Sequence, residues 1–308
     1  MKHIPVIIDC DTGVDDAIAL LMAGKLPQLE LCAVTSVAGN AEIEKTTINA
    51  LRVLELANLD VPVYRGAAVP LMREQVTASY IHGKNGLNEL ELPVGNRQIE
   101  ALPACDAIYE IAKAHGGALT IIGIGPLTNI ALALIKYREL PSLLHRIVIM
   151  GGAGTGGNVT PAAEFNIFAD AEAADIVFRS GVPVYMCGLD VTMKAYLTPE
   201  EINEVAKTGG AVGQFVHDVT QGVLDFSLKL GLPGMCMHDP VAVLYAVEDA
   251  LFTTEHVGIR IETKGPLTYG KTVTDLYSDK QIEHNAYIVT DVDREGFRDR
   301  LSALIAQY

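Results

Sequence analysis

The chain has no tryptophan, and its 23 Lys and Arg are outnumbered by 38 Asp and Glu, which gives a formal net charge of −15. The absence of tryptophan excludes an indole ring as a stacking surface in any binding site. The sequence also has no Lys/Arg-rich run. Most of the surface would therefore repel a phosphate backbone, and we expect no nucleic acid polymer as a partner.

Cysteines are few and scattered, and none of them forms a CxxC pair. The five are Cys10, Cys32, Cys105, Cys187 and Cys236. This pattern disfavours a disulfide framework and a zinc site, and it indicates reduced thiols in a cytosolic protein. No apolar stretch reaches membrane-spanning length, and because residues 1–9 show neither a basic n-region nor a small-residue cleavage site, we expect no secretory leader. We therefore expect a cytoplasmic protein that has no contact with a membrane.

Short apolar runs alternate with longer periodic segments from residue 4 to residue 189. Apolar runs bounded by Gly-containing loops indicate buried strands, and the longer segments indicate helices. The order predicts an α/β fold, with an open, mostly parallel twisted sheet covered by helices on both faces. Thr198 and Pro199 begin a different, C-terminal part, in which Asp239 is the expected N-cap of a helix. We expect residues 1–308 to form a single domain with this C-terminal elaboration.

Four carboxylates end the first apolar run and begin the next helix: Asp9, Asp11, Asp15 and Asp16. Desolvated acids repel one another, so the protein must supply positive charge there. A hard divalent cation is the simplest choice, because carboxylate oxygens are its preferred ligands. Ligands of parallel sheets bind beyond the carboxyl ends of the strands, where this cluster is expected to lie.

The acid cluster has two alternatives to a simple metal site. Acids are common at helix N-termini, which accounts for Asp15 and Asp16 but not for Asp9 and Asp11. The segment from Asp9 to Thr12 also resembles the opening motif of haloacid-dehalogenase-like magnesium phosphatases, in which Asp9 would be the phosphorylated nucleophile. The phosphatase alternative needs a later Gly-Asp-x-x-x-Asp segment, and the sequence has no convincing one.

Six stretches in a fixed order decide between these alternatives. They are Asp9–Ala17, Val37–Asn40, Gly125–Asn129, Ile149–Gly152, Asn158–Asn166 and His238–Pro240. With them, the sequence resembles the inosine-uridine-preferring nucleoside hydrolase family over essentially the whole chain. The segments Gly123–Pro126, Met186–Asp190 and Met237–Asp239 look most similar to the bacterial non-specific ribonucleoside hydrolases. One departure is that Thr12 stands where the family usually has proline. Threonine can adopt the same turn.

The resemblance implies a Rossmann-like enzyme that hydrolyses the N-glycosidic bond of small-molecule ribonucleosides to ribose and free base, for nucleoside salvage. It implies a Ca²⁺ ion held by the carboxylates of Asp11, Asp16 and Asp239 and by the backbone carbonyl of Ile124. Oxygen-only coordination of this kind suits calcium. Asp11 would also remove the proton of the attacking water. A homodimer or homotetramer is the implied assembly.

The resemblance also implies a set of substrate-binding side chains. The hydroxyls of ribose would be held by Asp15, Asn40, Asn158, Glu164 and Asn166, and Met150 and Phe165 would pack beside the sugar. Asn40 is also counted with Asp11 and His238 among the catalytic residues. A site built around the 2′-hydroxyl should reject deoxyribonucleosides, because its buried partners would be left unpaired.

Two histidines are candidates for assisting the departing base. His238 precedes the metal-binding Asp239, and His82 lies in the irregular segment 66–96, which has the length of a mobile lid. A pocket wall for His238 and an exposed loop position for His82 are the alternatives. The helix before His238 should face the base with some of Gln221, Asp225, Phe226 and Lys229.

The expected base specificity is broad and covers purine and pyrimidine ribosides. A purine-only preference is less expected, because no tryptophan can stack on the larger ring. A non-catalytic nucleoside- or pentose-binding protein of the same fold is a further alternative. It is disfavoured because all three expected metal carboxylates are present.

Overall fold

The computed structural model describes residues 3–277 and 281–308, and its centre is one large sheet. The strands are β1 (Ile4–Cys10), β2 (Leu29–Ser36), β3 (Val63–Arg65), β4 (Ile99–Glu100), β5 (Leu119–Gly123), β6 (Leu144–Met150), β7 (Val184–Cys187), β8 (Tyr196–Leu197), β9 (Met235–Cys236), β10 (Phe252–Ile261), β11 (Thr272–Asp275) and β12 (Ala286–Val292). The helices are α1 (Val14–Lys25), α2 (Ile43–Leu56), α3 (Ser79–His82), α4 (Ala104–His115), α5 (Thr128–Lys136), α6 (Phe165–Ala169), α7 (Ala171–Phe178), α8 (Leu189–Thr192), α9 (Pro199–Thr208), α10 (Gly210–Lys229), α11 (His238–Tyr245) and α12 (Arg294–Ile305), with short 3₁₀ turns at Leu140–Leu143 and Asp249–Leu251.

The predicted α/β fold with a mostly parallel sheet is confirmed. Across the described residues, ten strands lie in the order β11-β10-β12-β7-β6-β5-β1-β2-β3-β4. Every neighbouring pair from β12 to β4 is parallel. Strand β10 is antiparallel to both of its neighbours and forms the added edge with β11. The short strands β8 and β9 pair with each other outside this sheet.

Both faces of the sheet are buried, as the apolar sequence of β1 requires. Val6 and Ile8 contribute to one hydrophobic cluster, whereas Ile7, which lies between them, contributes to the other. Alternate residues of a strand point to opposite faces, so a strand that is apolar throughout must be covered on both sides. Among the described residues, no helix combines the length and the apolar character that crossing a bilayer demands.

Local rules explain several helix boundaries and fail at one. Thr198 caps α9 by accepting from the Glu201 amide, and Glu201 accepts from the Thr198 amide at 2.8 Å, which completes a capping box. The expected N-cap at Asp239 is wrong: Met237 is the N-cap residue of α11, and His238 is the first helical residue. Asp239 thereby lies inside the first turn of the helix.

Candidate active site

The acids that follow β1 are held in place by a buried network. Asp9 is fully buried and accepts hydrogen bonds from Thr35 Oγ1 at 2.5 Å and from Asn129 Nδ2 at 2.8 Å. Asn129 Nδ2 also donates to the Ser36 carbonyl at 2.9 Å. Burial raises the pKa of Asp9 to about 7, against the hydrogen bonds of Asn129 and Thr35. Asn129 therefore ties the ends of β1 and β2 to the first turn of α5.

Asp11 lies in a slot between two glycines. Its Oδ2 atom accepts from the Asn40 amide at 2.6 Å, and its Oδ1 atom has no hydrogen-bond partner among the described residues. A Cβ atom at Gly39 would lie 2.1 Å from Oδ2, and a Cβ atom at Gly125 would lie 2.7 Å from Oδ1. Burial and the charge of Asp16 raise the pKa of Asp11 well above its ordinary value. Only glycine leaves room for this carboxylate.

Asp16 closes the turn between β1 and α1. It accepts from the amides of Asp11 at 3.1 Å and Gly13 at 2.8 Å, and from Asn40 Nδ2 at 3.0 Å. Burial and the charge of Asp15 raise the pKa of Asp16 to about 7. An acid at the first turn of a helix is stabilised by the free amides there, which explains why the chain places Asp16 at this point.

Three buried acids converge in front of this turn. Asp15, Asp16 and Asp239 each place a carboxylate oxygen within 4.8 Å of the others. Burial and then the charges of Asp15 and Asp16 raise the pKa of Asp239 well above its ordinary value. Such a cluster is stable when a cation neutralises it, and oxygen donors match a hard divalent ion. The unpaired Oδ1 atom of Asp11 is a further buried oxygen that fits this use.

This grouping differs from the expected one in one member. The expected metal carboxylates are those of Asp11, Asp16 and Asp239, whereas the three mutually close acids include Asp15 in place of Asp11. The carbonyl of Ile124, the expected fourth ligand, accepts from Asn166 Nδ2 at 3.0 Å. A carbonyl oxygen has two lone pairs, so this bond leaves one for a cation.

Glu164 organises the loop that was expected to bind ribose. It is the N-cap of α6: Oε1 accepts from the Asn166 amide at 2.9 Å, and Oε2 accepts from the amides of Gly152 at 2.8 Å and Ile167 at 3.2 Å. Burial raises the pKa of Glu164 to about 7, although these backbone bonds oppose the shift. The sequence did not predict this capping role.

Asn158 and Asn166 each have one polar group committed to the protein. Asn158 Oδ1 accepts from the Phe165 amide at 2.9 Å. Asn166 Nδ2 donates to the carbonyls of Ile124 and, at 3.1 Å, Met150. The side-chain NH₂ group of Asn158 is thereby available to donate to a ligand, and the side-chain carbonyl of Asn166 is available to accept from one.

These residues surround a cavity of about 760 Å³ at the carboxyl ends of the strands. All of the expected substrate-binding residues line it: Asp15, Asn40, His82, Met150, Asn158, Glu164, Phe165, Asn166 and His238. Of the expected metal ligands, Ile124 and Asp239 also line the cavity, whereas Asp11 and Asp16 lie behind that lining with no solvent exposure. Residues far apart in sequence thus meet at one site.

The two histidines are fixed by hydrogen bonds to the protein. His82 Nδ1 accepts from the Val14 amide at 3.1 Å, and burial lowers the pKa of His82 to about 4. The neutral ring therefore carries its proton on Nε2. His238 Nδ1 lies 2.8 Å from Thr192 Oγ1, and burial lowers the pKa of His238 against the opposing charge of Asp15. The alternative of an exposed loop position for His82 is wrong.

The outer wall of the cavity is apolar. Of the four α10 residues expected to face the base, Phe226 alone lines the cavity. The remainder of this wall was not predicted: Met193, Val223, Leu230, Leu232, Met235 and Cys236. These residues lie on α10, on β9 and in loops, and their separate places in the sequence give no common periodic signal. An apolar outer wall with polar groups at the inner end suits a ligand with a flat, weakly polar part and a hydroxylated part.

A family profile described as inosine-uridine preferring nucleoside hydrolase matches residues 6–299 of the chain. This chain belongs to the inosine-uridine preferring nucleoside hydrolase family. The resemblance carried by its motifs is confirmed.

Relatives in the family differ in the base that their names specify. The chain is 44% identical over 311 residues to the pyrimidine-specific ribonucleoside hydrolase RihA of Photobacterium profundum, covering 99% of both proteins. A solved purine-preferring ribonucleoside hydrolase from Gardnerella vaginalis is 35% identical, with a TM-score of 0.92 and 98% of each chain covered. The plant nucleoside hydrolase PpNRh1 is 29% identical, with a TM-score of 0.93 and 99% coverage of each chain.

Proposed function

We propose that the cavity is the active site of a metal-dependent hydrolase that cleaves the N-glycosidic bond of ribonucleosides into ribose and a free base. The observation that carries this proposal is the meeting of buried acids and asparagine side chains in one largely apolar cavity. The phosphatase alternative is not favoured, because the sequence lacks a convincing Gly-Asp-x-x-x-Asp segment and because Asp9 Oδ1 is engaged by Thr35 and Asn129. The family match over residues 6–299 supports the same choice over a binding protein.

Asp11, Asp16, Asp239 and the Ile124 carbonyl are the proposed ligands of a Ca²⁺ ion. Their donors are all oxygens, and burial together with the charges of neighbouring acids raises the pKa values of the three carboxyl groups. When bound, the ion would neutralise these acids and make a water molecule easier to deprotonate. Asp15 and Asp239 both belong to the acidic cluster and both line the cavity, and the family resemblance is what assigns Asp15 to the ribose hydroxyls.

Asp11 is the proposed base. Its Oδ2 atom is occupied by the Asn40 amide, so its unpaired Oδ1 atom would serve both uses, with one lone pair for the ion and the other to accept a proton from water. Asn40 would act by fixing Asp11 and Asp16 at once and by lining the cavity next to the sugar. General-base catalysis of this kind contributes on the order of 10²–10⁴-fold to the rate.

The sugar would be oriented by groups of complementary hydrogen-bonding character. The Asn158 amide group can donate, the Asn166 carbonyl can accept, and Asp15 and Glu164 can accept from hydroxyls. Met150 and Phe165 close the apolar sides of the ring. Fixing the hydroxyls at one end holds the reacting carbon near the water that Asp11 activates.

His82 and His238 would assist the base as neutral hydrogen-bond donors. Their lowered pKa values leave little imidazolium at neutral pH, so protonation of the base by either ring is disfavoured. The Nε2–H group of His82 is free of the Val14 bond and can stabilise charge that develops on the departing ring.

Pyrimidine ribosides are the proposed preferred substrates. The support is that relatives 42–44% identical over 99% of the chain carry the name pyrimidine-specific ribonucleoside hydrolase. The purine-preferring relative is less similar, at 35%. Broad acceptance of purine and pyrimidine ribosides, which the sequence favoured, stays a prediction. The assay described next compares the two classes of substrate.

The test is to incubate the protein with uridine, cytidine and inosine, with Ca²⁺ and with a chelator, and to measure free base and reducing sugar. Release of base from uridine and cytidine that stops on chelation supports the proposal, and equal release from inosine supports broad specificity. Binding without release would indicate a non-catalytic protein. Retention of activity in the chelator would contradict the metal site.

Other properties belong to the same proposal. The five free cysteines suit a reducing compartment such as the cytoplasm. A single domain over residues 1–308 is supported by the sheet, which joins strands from both ends of the chain. A homodimer or homotetramer stays a prediction, which light scattering of the purified protein would measure.

A further inference from the structure

Three side chains with different metal-binding atoms meet at the amino-terminal end of β2, remote from the cavity. Glu30 and Cys32 lie two residues apart on β2. His115 is the last residue of α4, which packs on β2. The three place a carboxylate oxygen, the thiol sulfur and a ring nitrogen within 4.8 Å of one another, and Cys32 Sγ lies 3.5 Å from His115 Nε2.

The backbone of β2 is irregular at this point. Val6 of β1 is paired with Leu31 and Ile7 is paired with Ala33, so Cys32 is an extra residue in the ladder. A bulge of this kind redirects a side chain and is common next to functional sites. Cys32 and His115 are half-buried and Glu30 is exposed, so the group is sheltered yet open to an ion from solvent.

The set of donor atoms selects a class of ion. Thiolate sulfur and imidazole nitrogen suit borderline metals such as Zn²⁺, whereas Ca²⁺ prefers oxygen alone. Three protein ligands leave the fourth tetrahedral position to water. The thiolate and the carboxylate would together balance the two positive charges, and binding would release the thiol proton of Cys32.

We propose that Glu30, Cys32 and His115 bind a divalent ion of the Zn²⁺ class and thereby fasten the end of α4 to β2. The site is independent of the hydrolase activity, because it lies at the opposite end of β2 from Asn40 and the acids. Cys32 and His115 are 83 residues apart in the sequence. The spacing of the cysteines alone therefore gave no sign of this site.

Co²⁺ is the probe, because a thiolate ligand gives it a charge-transfer band that a carboxylate cluster does not give. The full-length protein, kept in excess Ca²⁺, is titrated with Co²⁺ and then with Zn²⁺ as competitor. We expect one equivalent of Co²⁺ with a thiolate band that Zn²⁺ abolishes. Cys105→Ser, a change at the other half-buried cysteine, is the matched control and should leave the titration unchanged.

Each ligand variant has a distinct expected result. Cys32→Ser should abolish the thiolate band. His115→Gln and Glu30→Gln should weaken Co²⁺ binding by at least about tenfold, since even the loss of an outer partner of a metal site costs about 10–100-fold. Zn²⁺ should raise the Tm of the parent protein and of Cys105→Ser but not of Cys32→Ser.

Several results would overturn the proposal. They are the absence of a thiolate band in the parent protein, a band that survives Cys32→Ser, and a band that disappears in Cys105→Ser. Should Cys32→Ser not fold, Glu30→Gln still decides, because its side chain is exposed. Unchanged Co²⁺ affinity in that variant would leave the group as a thiol–imidazole hydrogen bond beside an unrelated acid.

Discussion

The main-chain amide of Asn40 donates to Asp11 Oδ2 at 2.6 Å, while the side-chain amide of the same residue donates to Asp16 Oδ2 at 3.0 Å. One residue just after β2 therefore fixes two acids of the turn after β1. The other oxygen of Asp11 stays unpaired among the described residues. This arrangement gives the proposed base a defined direction.

Replacing Asp11 by asparagine should remove turnover and leave the fold intact. The asparagine carbonyl can still accept from the Asn40 amide, but the side chain no longer accepts a proton. We expect kcat for uridine to fall by about 10²–10⁴-fold. The measurement is steady-state hydrolysis of uridine together with equilibrium binding of the substrate. Asp225→Asn, at an exposed position of α10, is the matched control and should behave as the parent protein. An active Asp11→Asn enzyme would show that another group is the base.

A methyl group at Gly39 should displace the Asp11 carboxylate. Its Cβ atom would lie 2.1 Å from Oδ2, so the acid must move. Misplacement of a catalytic group by about 1 Å costs on the order of 10²-fold, and we expect a loss of that size in kcat/KM. The measurement is uridine hydrolysis by Gly39→Ala. Gly181→Ala, which has φ +83° and open space around it, should cost about 1–2 kcal/mol of stability without changing kcat/KM. Full activity of Gly39→Ala would contradict the slot described for Asp11.

Calcium should stabilise the protein more at pH 8 than at pH 5. The folded-state pKa of Asp16 is about 7 and those of Asp11 and Asp239 are raised, so the chelated protein keeps these acids protonated at low pH. An acid whose pKa is raised by folding contributes stability that is present below its ordinary value of 3.8 and is lost as the pH rises toward 7. Calcium offsets that loss by binding the ionised form. The measurement is the difference in Tm between calcium and chelator at each pH.

Two controls make this comparison specific to the acids. Asp239→Asn should remove most of the calcium-dependent rise in Tm at pH 8, and Asp225→Asn should keep it. A rise that is equal at both pH values, or larger at pH 5, would show that protons and calcium do not compete for these carboxylates.

The 2′-hydroxyl should be essential for turnover. Asp15 and Asn40 line the inner end of the cavity, and a site built to bond a hydroxyl is left with unpaired buried groups when that hydroxyl is missing. We expect kcat/KM for 2′-deoxyuridine to be lower than for uridine by on the order of 10⁴–10⁵-fold. Equal turnover of the two nucleosides would refute the assignment of Asp15 and Asn40 to this contact. Asn40→Ala should reduce the ratio of kcat/KM for uridine to kcat/KM for 2′-deoxyuridine.

The sequence predicted the sheet and most of the site because the signals are local. The apolar run of β1 and the acids after it identify a buried strand and a charged turn without reference to other residues. The acid turn, Gly39-Asn40 and His238-Asp239 then appear in an order that identifies the family. The α/β fold and the family membership are thereby confirmed, whereas the individual roles of the site residues stay proposals.

Long-range geometry accounts for the features that the sequence did not predict. Glu164 caps α6 and also binds the amide of Gly152, and only the folded loop brings these groups together. Asn129 ties β1 to β2 although it follows β5, and nothing in its own segment signals that contact. The N-cap of α11 is Met237 rather than Asp239, whose carboxylate lies in the acid cluster, and the local N-cap preference does not predict this tertiary arrangement.

The central claim is that this site adds water across the ribosyl bond with the help of a divalent ion, and isotope labelling tests it most directly. Uridine is incubated with the protein in ¹⁸O-enriched water without phosphate, once with Ca²⁺ and once with a chelator, and the freshly formed sugar is analysed by mass spectrometry. The account predicts free uracil and ribose that has gained one ¹⁸O atom, with both products absent after chelation. Uracil release that requires phosphate, or that continues unchanged in the chelator, would contradict it.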